Sequence, residues 1–298
     1  MAQMHSFHRF ELQVGTAGYE RVQHARFAVI GLGGIGGYVA EALARSGVAH
    51  LTLVDFDRVC ITNLNRQIHA TRKSVNQPKA TLVAERVASI HPKCDVRALQ
   101  KFFGEDTADE ILAPGFDVVF DCIDNMTAKV QLVEACIKRG LPIVCALGAG
   151  GRMDPTRVRV TDLEETHTDP FARIFRDQLR QRGIERGVTC VWSDEPPVGV
   201  DPVVHSGFKC ICPDKSDLEV NHCETRFQIQ GSNGWMPAIF GLTMAGVAIN
   251  GVLGRKIETQ WAEPPKRDKP SPNKPSRATK RALLAARTNG VVTGPTDV

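Results

Sequence analysis

The sequence predicts an α/β fold, a Rossmann-like, mostly parallel sheet with helices on both faces. Three observations predict it. Short apolar runs alternate with helical stretches, a glycine-rich turn Gly31-Leu32-Gly33-Gly34-Ile35-Gly36 follows the first run, and Asp55 ends the second. Strands that alternate with helices need crossovers, and those crossovers cover both faces of a parallel sheet.

Taken in order, residues 26–30 read as a strand, 38–46 as a helix and 51–54 as a second strand, which completes a βαβ unit around the glycine turn. Further strands are expected at 96–99, 118–122 and 143–146, with helices over 78–89 and 128–139. A second, less regular portion begins at 157–161 and runs to 235. It contains a helix with clear ends: Asp169 suits the N-cap, Pro170 the first helical position and Gly183 the C-terminal stop. Residues 236–253 approach membrane-span length, and a hydropathy plot would flag them. Gly241, Thr243, Gly246, Asn250 and Gly251 dilute the run, so it reads as a buried core helix. From 258 to 298 the chain turns to prolines, lysines and arginines, a composition that cannot supply a core and is expected to be disordered.

Composition sets the outer limits. A chain of 298 residues can bury one large core, or one core and a smaller lobe, and 42% apolar with 23% charged residues excludes a fibrous or wholly disordered protein. A net charge of +4 does not by itself announce a nucleic-acid binder, although it leaves room for a local basic patch. The N-terminus lacks the apolar stretch of a secretory signal, and nine scattered cysteines do not form a disulfide framework, so a cytoplasmic location is expected.

The glycine turn sits between a strand and a helix, where small residues let the backbone approach phosphate oxygens and the helix N-terminus favours negative charge. Asp55 follows at the spacing of a carboxylate that bonds ribose hydroxyls, and with Gly31, Gly33, Gly34 and Gly36 it would suggest a dinucleotide enzyme. More follows, however: Asn63, Asn65, Arg66 and Gln67, then Lys79, then Asp121 to Asn125. Two bridging phosphates need little beyond the helix N-terminus, whereas a reactive triphosphate needs cations and a divalent metal as pyrophosphate leaves. Arg66 and Lys79 fit the first need, and Asp124 fits the second as a ligand for Mg²⁺. Singly, each has a plainer alternative: Arg66 and Lys79 as solvated charges, Asp124 as the cap of the helix beginning near Thr127.

Together these residues resemble the adenylation core of the ubiquitin-activating (E1-like) superfamily, through about the first 255 residues. The resemblance implies that residues 1–257 are an ATP-using adenylation domain. Arg9 is similar to an N-terminal arginine that reaches the phosphates of the other subunit, which implies a homodimer. Gly148 to Pro155, Thr161 to Pro170 and Val188 to Glu195 resemble the bacterial tRNA threonylcarbamoyladenosine dehydratases. That family adenylates the threonyl carboxylate of the modified adenosine at tRNA position 37 and lets it cyclise, with net loss of water. The rival within the superfamily activates the C-terminal carboxylate of a sulfur carrier protein, and a sulfur-relay protein is a possible partner.

Sulfur-carrier enzymes commonly hold zinc with two C-x-x-C pairs, and this chain has no C-x-x-C. Cys210, Cys212, His222 and Cys223 offer zinc-type ligands at an unusual spacing, so a structural zinc is not expected there. Cys190 reads as a buried thiol rather than a thioester nucleophile. Finally, Phe171, Ile174, Phe175 and Leu179 recur at helical spacing and should face the core, leaving Arg173, Arg176 and Arg180 as an outward stripe that suits tRNA phosphates.

Overall fold

A computed structural model describes residues 4–113, 115–199, 201 and 230–255. The chain divides into two compact units, Met1–Gln260 and Trp261–Val298, and every described residue belongs to the first. The expected disorder of 258–298 and the cysteine and histidine cluster at 210–223 lie outside the described residues.

Seven strands form one sheet in the order β3-β2-β1-β4-β5-β7-β6. They are β1 (Arg26–Ile30), β2 (His50–Val54), β3 (Asp95–Leu99), β4 (Val118–Asp121), β5 (Ile143–Ala146), β6 (Val158–Asp162) and β7 (Thr189–Ser193). All neighbours run parallel except β6, which pairs antiparallel with β7. The central strands are buried along almost their whole length, as a sheet covered on both faces requires.

Eight helices complete the described part: α1 (His8–Val14), α2 (Thr16–His24), α3 (Gly36–Arg45), α4 (Lys79–Ile90), α5 (Glu105–Leu112), α6 (Met126–Lys138), α7 (Pro170–Arg180) and α8 (Met236–Val252). Residues of α3, α4 and α8 share one core with Phe27, Val29 and Phe120. Residues of α5, α6 and α7 share the other with Ala28, Ile30 and Trp192. The run at 236–253 is therefore a helix packed against α3 and the sheet, and no helix among the described residues is long and apolar enough to cross a membrane.

Several sequence expectations need adjusting. The strand expected at 118–122 ends at Asp121, and α3 and α6 each begin two residues early, at Gly36 and Met126. The irregular portion supplies β6 and β7, which extend the same sheet. In α7, Asp169 does cap the helix, its Oδ1 accepting from the Phe171 N–H at 2.9 Å. Gly183, at φ 76°, turns the chain after the helix, and the Ile184 N–H closes back on the Leu179 carbonyl. Ile174 does not face the core. It is 47% exposed, while Ala172, Phe175 and Leu179 are buried. Burial of Ala172 beside Phe175 and Leu179 centres the buried arc on 172, 175 and 179 and carries Arg176 to its edge.

Candidate nucleotide-binding site

Chain order reverses between β1 and β4: β1 leads out to β2 on one side, and β4 leads to β5 on the other. Such a switch point opens a crevice beyond the C-terminal ends of the parallel strands. The glycine turn, Asp55, Asp124 and the loop after β5 all follow those ends, which is why residues far apart in sequence meet there.

The glycine turn is shaped by contact. Gly31, at φ 89°, lies so close to Cys122 that a Cβ would sit 2.7 Å from its carbonyl oxygen, and at Gly36 a Cβ would lie 1.8 Å from the Gly31 oxygen. Neither position tolerates a side chain. Gly33 faces open space, with only Gln67 Nε2 at 3.8 Å, and Gly34 lies under the Arg66 stem and Pro237. A backbone laid bare at the N-terminus of α3 fits a phosphate chain.

Asp55 is buried against this turn. Its Oδ2 accepts from the Leu32 N–H at 2.6 Å and its Oδ1 from the Asp57 N–H at 2.8 Å. Burial pushes its carboxyl above the ordinary range, against the pull of Lys79. Each oxygen keeps a second lone pair, so the bracing role leaves acceptor capacity.

Lys79 is buried at the start of α4, with its Nζ 2.7 Å from Asp57 Oδ2. Burial alone would push its ammonium down, but Asp55, Asp57 and Asp124 around it hold it above its usual value. The solvated-charge alternative for Lys79 is thereby excluded. Asp57 was not singled out in the sequence, and its position two residues after Asp55 was the available signal.

The helix after β4 is capped by Asn125, whose Oδ1 accepts from the Ala128 N–H at 3.0 Å. Asp124 is therefore not the cap, and it sits exposed at the rim beside Lys79. Arg66 Nη1 donates to the Thr62 carbonyl and to Asn65 Oδ1, both at 3.0 Å. Asn65 Nδ2 donates to the Ser232 carbonyl, buried Asn63 accepts from the Cys60 N–H, and Gln67 is buried with no partner for its Oε1.

Beneath this rim lies an ion pair that the sequence reading missed. Lys129 and Asp121 are fully buried, Nζ to Oδ2 at 2.7 Å, and Nζ also donates to the Ile123 carbonyl at 3.1 Å and faces the Phe171 and Phe175 rings. It ties the 121–125 loop to α6 and α7. The three later segments also converge. Asp169 accepts from the Gly148 N–H and lies 3.5 Å from Arg152, Glu195 accepts from the Met153 and Asp154 N–H groups, and Asp194 pairs with Arg157 and Arg159. Cys190 is buried within β7.

Two further expectations concern Arg9 and the arginine stripe. Arg9 is exposed on α1, whose neighbour Phe7 packs on His91 and beside Gly47, at the C-terminal ends of α4 and α3. The glycine turn is at the opposite end of α3. The arginine stripe is also incomplete: Arg176 turns in and donates to the Leu163 and Thr166 carbonyls and the Thr166 hydroxyl, and Arg180 pairs with Glu164. Arg173 is exposed.

Comparison with known proteins adds an independent line. The chain is 39% identical over 254 residues to a tRNA threonylcarbamoyladenosine dehydratase of Bacillus subtilis, covering 84% of this chain and 95% of that protein. Crystal structures of the Escherichia coli tRNA N6-threonylcarbamoyladenosine dehydratase with ATP and with AMP superpose with a TM-score of 0.71 at 32% identity, covering 84% of this chain and 94% of theirs. A molybdopterin-synthase adenylyltransferase of Salmonella typhimurium is 35% identical, over 58% of this chain and 66% of its own length. The ThiF family profile matches residues 8–281, and the chain belongs to the ThiF family.

Proposed function

We propose that the chain is an ATP-dependent tRNA threonylcarbamoyladenosine dehydratase. The observation that carries this is the near-full-length likeness to enzymes of that name, joined to a crevice in which Lys79 is buried among Asp55, Asp57 and Asp124 beside an exposed glycine backbone. In this reading Gly33, Gly34 and Gly36 receive the phosphates, with Gly31 turning the chain beneath them, and Asp55 binds the ribose. Asn63, Asn65 and Gln67 shape the wall, and Arg66 and Lys79 offset charge that builds on the phosphates. Asp124 would hold the Mg²⁺ that accompanies ATP and screens the departing pyrophosphate. The threonyl carboxylate oxygen bonds to the α-phosphorus as the bond to pyrophosphate breaks. A neighbouring nucleophile of the same modification then closes the ring and expels AMP, which carries away the carboxylate oxygen. Proximity favours that second step, because both groups already share one nucleoside.

Incubation with ATP, Mg²⁺ and tRNA bearing threonylcarbamoyladenosine, followed by nucleoside mass spectrometry, tests the reading. Loss of one water from the modified nucleoside is expected. An unchanged nucleoside, with adenylation of a sulfur carrier's C-terminus instead, would favour the rival.

The enzyme is proposed to act as a homodimer. Arg9 lies at the far end of α3 from its own glycine turn, so a role for it at the phosphates requires a second copy. Mixing inactive Arg9→Ala and Lys79→Ala proteins should restore part of the adenylation activity, since some heterodimers hold one intact site. A sedimenting monomer with full activity would refute this.

For tRNA docking, Arg173 and Arg180 are the outward members of the stripe, and Arg176 supports the 163–166 turn from inside. Changing Arg173 and Arg180 to Gln should weaken tRNA binding and make the slope of log affinity against log salt shallower by about 1–2. A chain truncated after Ile257 is the comparison. If the truncation flattens the slope and the arginine variant does not, tRNA docks on the tail.

A further inference from the structure

From Arg58 to Ala84 the chain carries five cations, Arg58, Arg66, Arg72, Lys73 and Lys79, and not one aspartate or glutamate. Arg66 and Lys79 belong to the proposed nucleotide site. The other three are exposed, and the backbone gathers them on one turn beside that site. The Val59 N–H donates to the Gln77 carbonyl at 2.9 Å and the Asn76 N–H to the Val59 carbonyl at 2.8 Å, which lays Arg58 against the end of the turn. Arg58 Nη1 also donates to the Asn76 carbonyl at 2.9 Å. Inside the turn, buried Ser74 accepts from the Thr71 N–H at 2.7 Å and donates to the His69 carbonyl at 2.9 Å, and Gln77 Nε2 donates to the Lys73 carbonyl at 3.0 Å. Asn76 closes it at φ 67°, a left-handed conformation that asparagine tolerates. The cations therefore ride on a fixed scaffold, and docking on them requires little ordering of the backbone.

Both ends of this turn leave from the crevice. Asp57, just before Arg58, bonds Lys79 Nζ, and Lys79 comes two residues after Gln77. The outward face holds Arg58, Thr71, Arg72, Lys73, Asn76 and Gln77, cations with neutral hydrogen-bonding groups between them. Those side chains are the ones that contact the sugar–phosphate backbone of nucleic acids.

Ion pairing decides which basic surface is open to an anion. Near α7, Arg180 pairs with Glu164, Arg182 with Glu134 and Arg186 with Glu165. Arg58, Arg72 and Lys73 pair with no carboxylate among the described residues. A phosphate arriving near α7 must displace a carboxylate, whereas one arriving at the 58–77 turn displaces only mobile counterions. We propose that this turn is the main docking surface for tRNA, and that it takes the backbone phosphates on either side of the modified nucleoside whose carboxylate enters the crevice. The inference rests on the proposed dehydratase reading and adds the surface that presents the RNA to it.

The test uses the full chain and tRNA bearing threonylcarbamoyladenosine. The Arg72 and Lys73 side chains make no hydrogen bond among the described residues, so Arg72→Gln combined with Lys73→Gln should leave the melting temperature and the KM for ATP unchanged. The slope of log affinity against log salt should become shallower by about 1–2, and tRNA affinity at physiological ionic strength should fall about 5–30-fold, with KM for tRNA rising by the same factor at constant kcat. Adding Arg58→Gln should deepen each loss. A wild type that dehydrates the nucleoside, beside a double variant that keeps its tRNA affinity and salt slope, would overturn the surface and spare the dehydratase reading. A wild type that leaves the nucleoside unchanged would overturn both. If the double variant binds tRNA as wild type does but no longer adenylates a sulfur carrier's C-terminus, the turn receives an acidic protein and the RNA assignment is wrong. Should the double variant fail to fold, Lys73→Gln alone decides, with an expected flattening of about 0.7–0.9.

Discussion

Lys129→Met is expected to destabilise the fold by about 3–5 kcal/mol, because it leaves Asp121 buried with its charge uncompensated. The pair is fully buried with 2.7 Å between Nζ and Oδ2, and the Ile123 carbonyl and two aromatic rings also face the ammonium. A methionine fills most of the lysine volume, so the loss reports charge rather than a cavity. Adding Asp121→Asn to Lys129→Met should recover a large part of it, since the remaining group no longer has to be buried as an anion. Urea denaturation followed by circular dichroism checks both variants. A single variant within about 1 kcal/mol of wild type would mean that water or a rearranged loop relieves Asp121.

Asp124→Ala is expected to lower ATP-dependent pyrophosphate release by about 10²–10³-fold or more, the scale for removing one group that stabilises transition-state charge. The fold should be retained, because Asn125 caps α6 and Asp124 is exposed at the rim. Unchanged pyrophosphate release by a folded Asp124→Ala protein would reject its role. The contrast with Lys129 is informative: the residues are five apart, yet one should act on catalysis at constant stability and the other on stability first.

Much of the fold was legible because each strand of the βαβ unit is a short apolar run with turn residues beside it. β7 was not, since its apolar part is only Cys190, Val191 and Trp192 between Thr189 and Ser193, too short a run to stand out as a strand. α1 and α2 were hidden by their shortness, 7 and 9 residues, and α1 buries no residue completely. At the site, the glycine turn, Lys79 and Asp124 could be read from residue type and order. Their meeting depends on sheet order, which sequence pattern does not encode. Lys129 was invisible for a related reason: a lysine within an amphipathic helix reads as solvated until Asp121 is known to lie beneath it. Arg176 was misplaced because spacing alone cannot say whether Ala172 or Ile174 sets the centre of the buried arc.

The packing of Gly31 and Gly36 reaches beyond the shape of the cradle. The turn is held by contacts within the protein itself, from the Val54 carbonyl, from Asp55 and from the Arg66 stem and Pro237 above it. A mould already set has no closing step to wait for, so ATP entry should follow diffusion and charge, and little affinity is spent on ordering the backbone. Under the proposed function, the pace of turnover then falls to the steps that lie outside this turn.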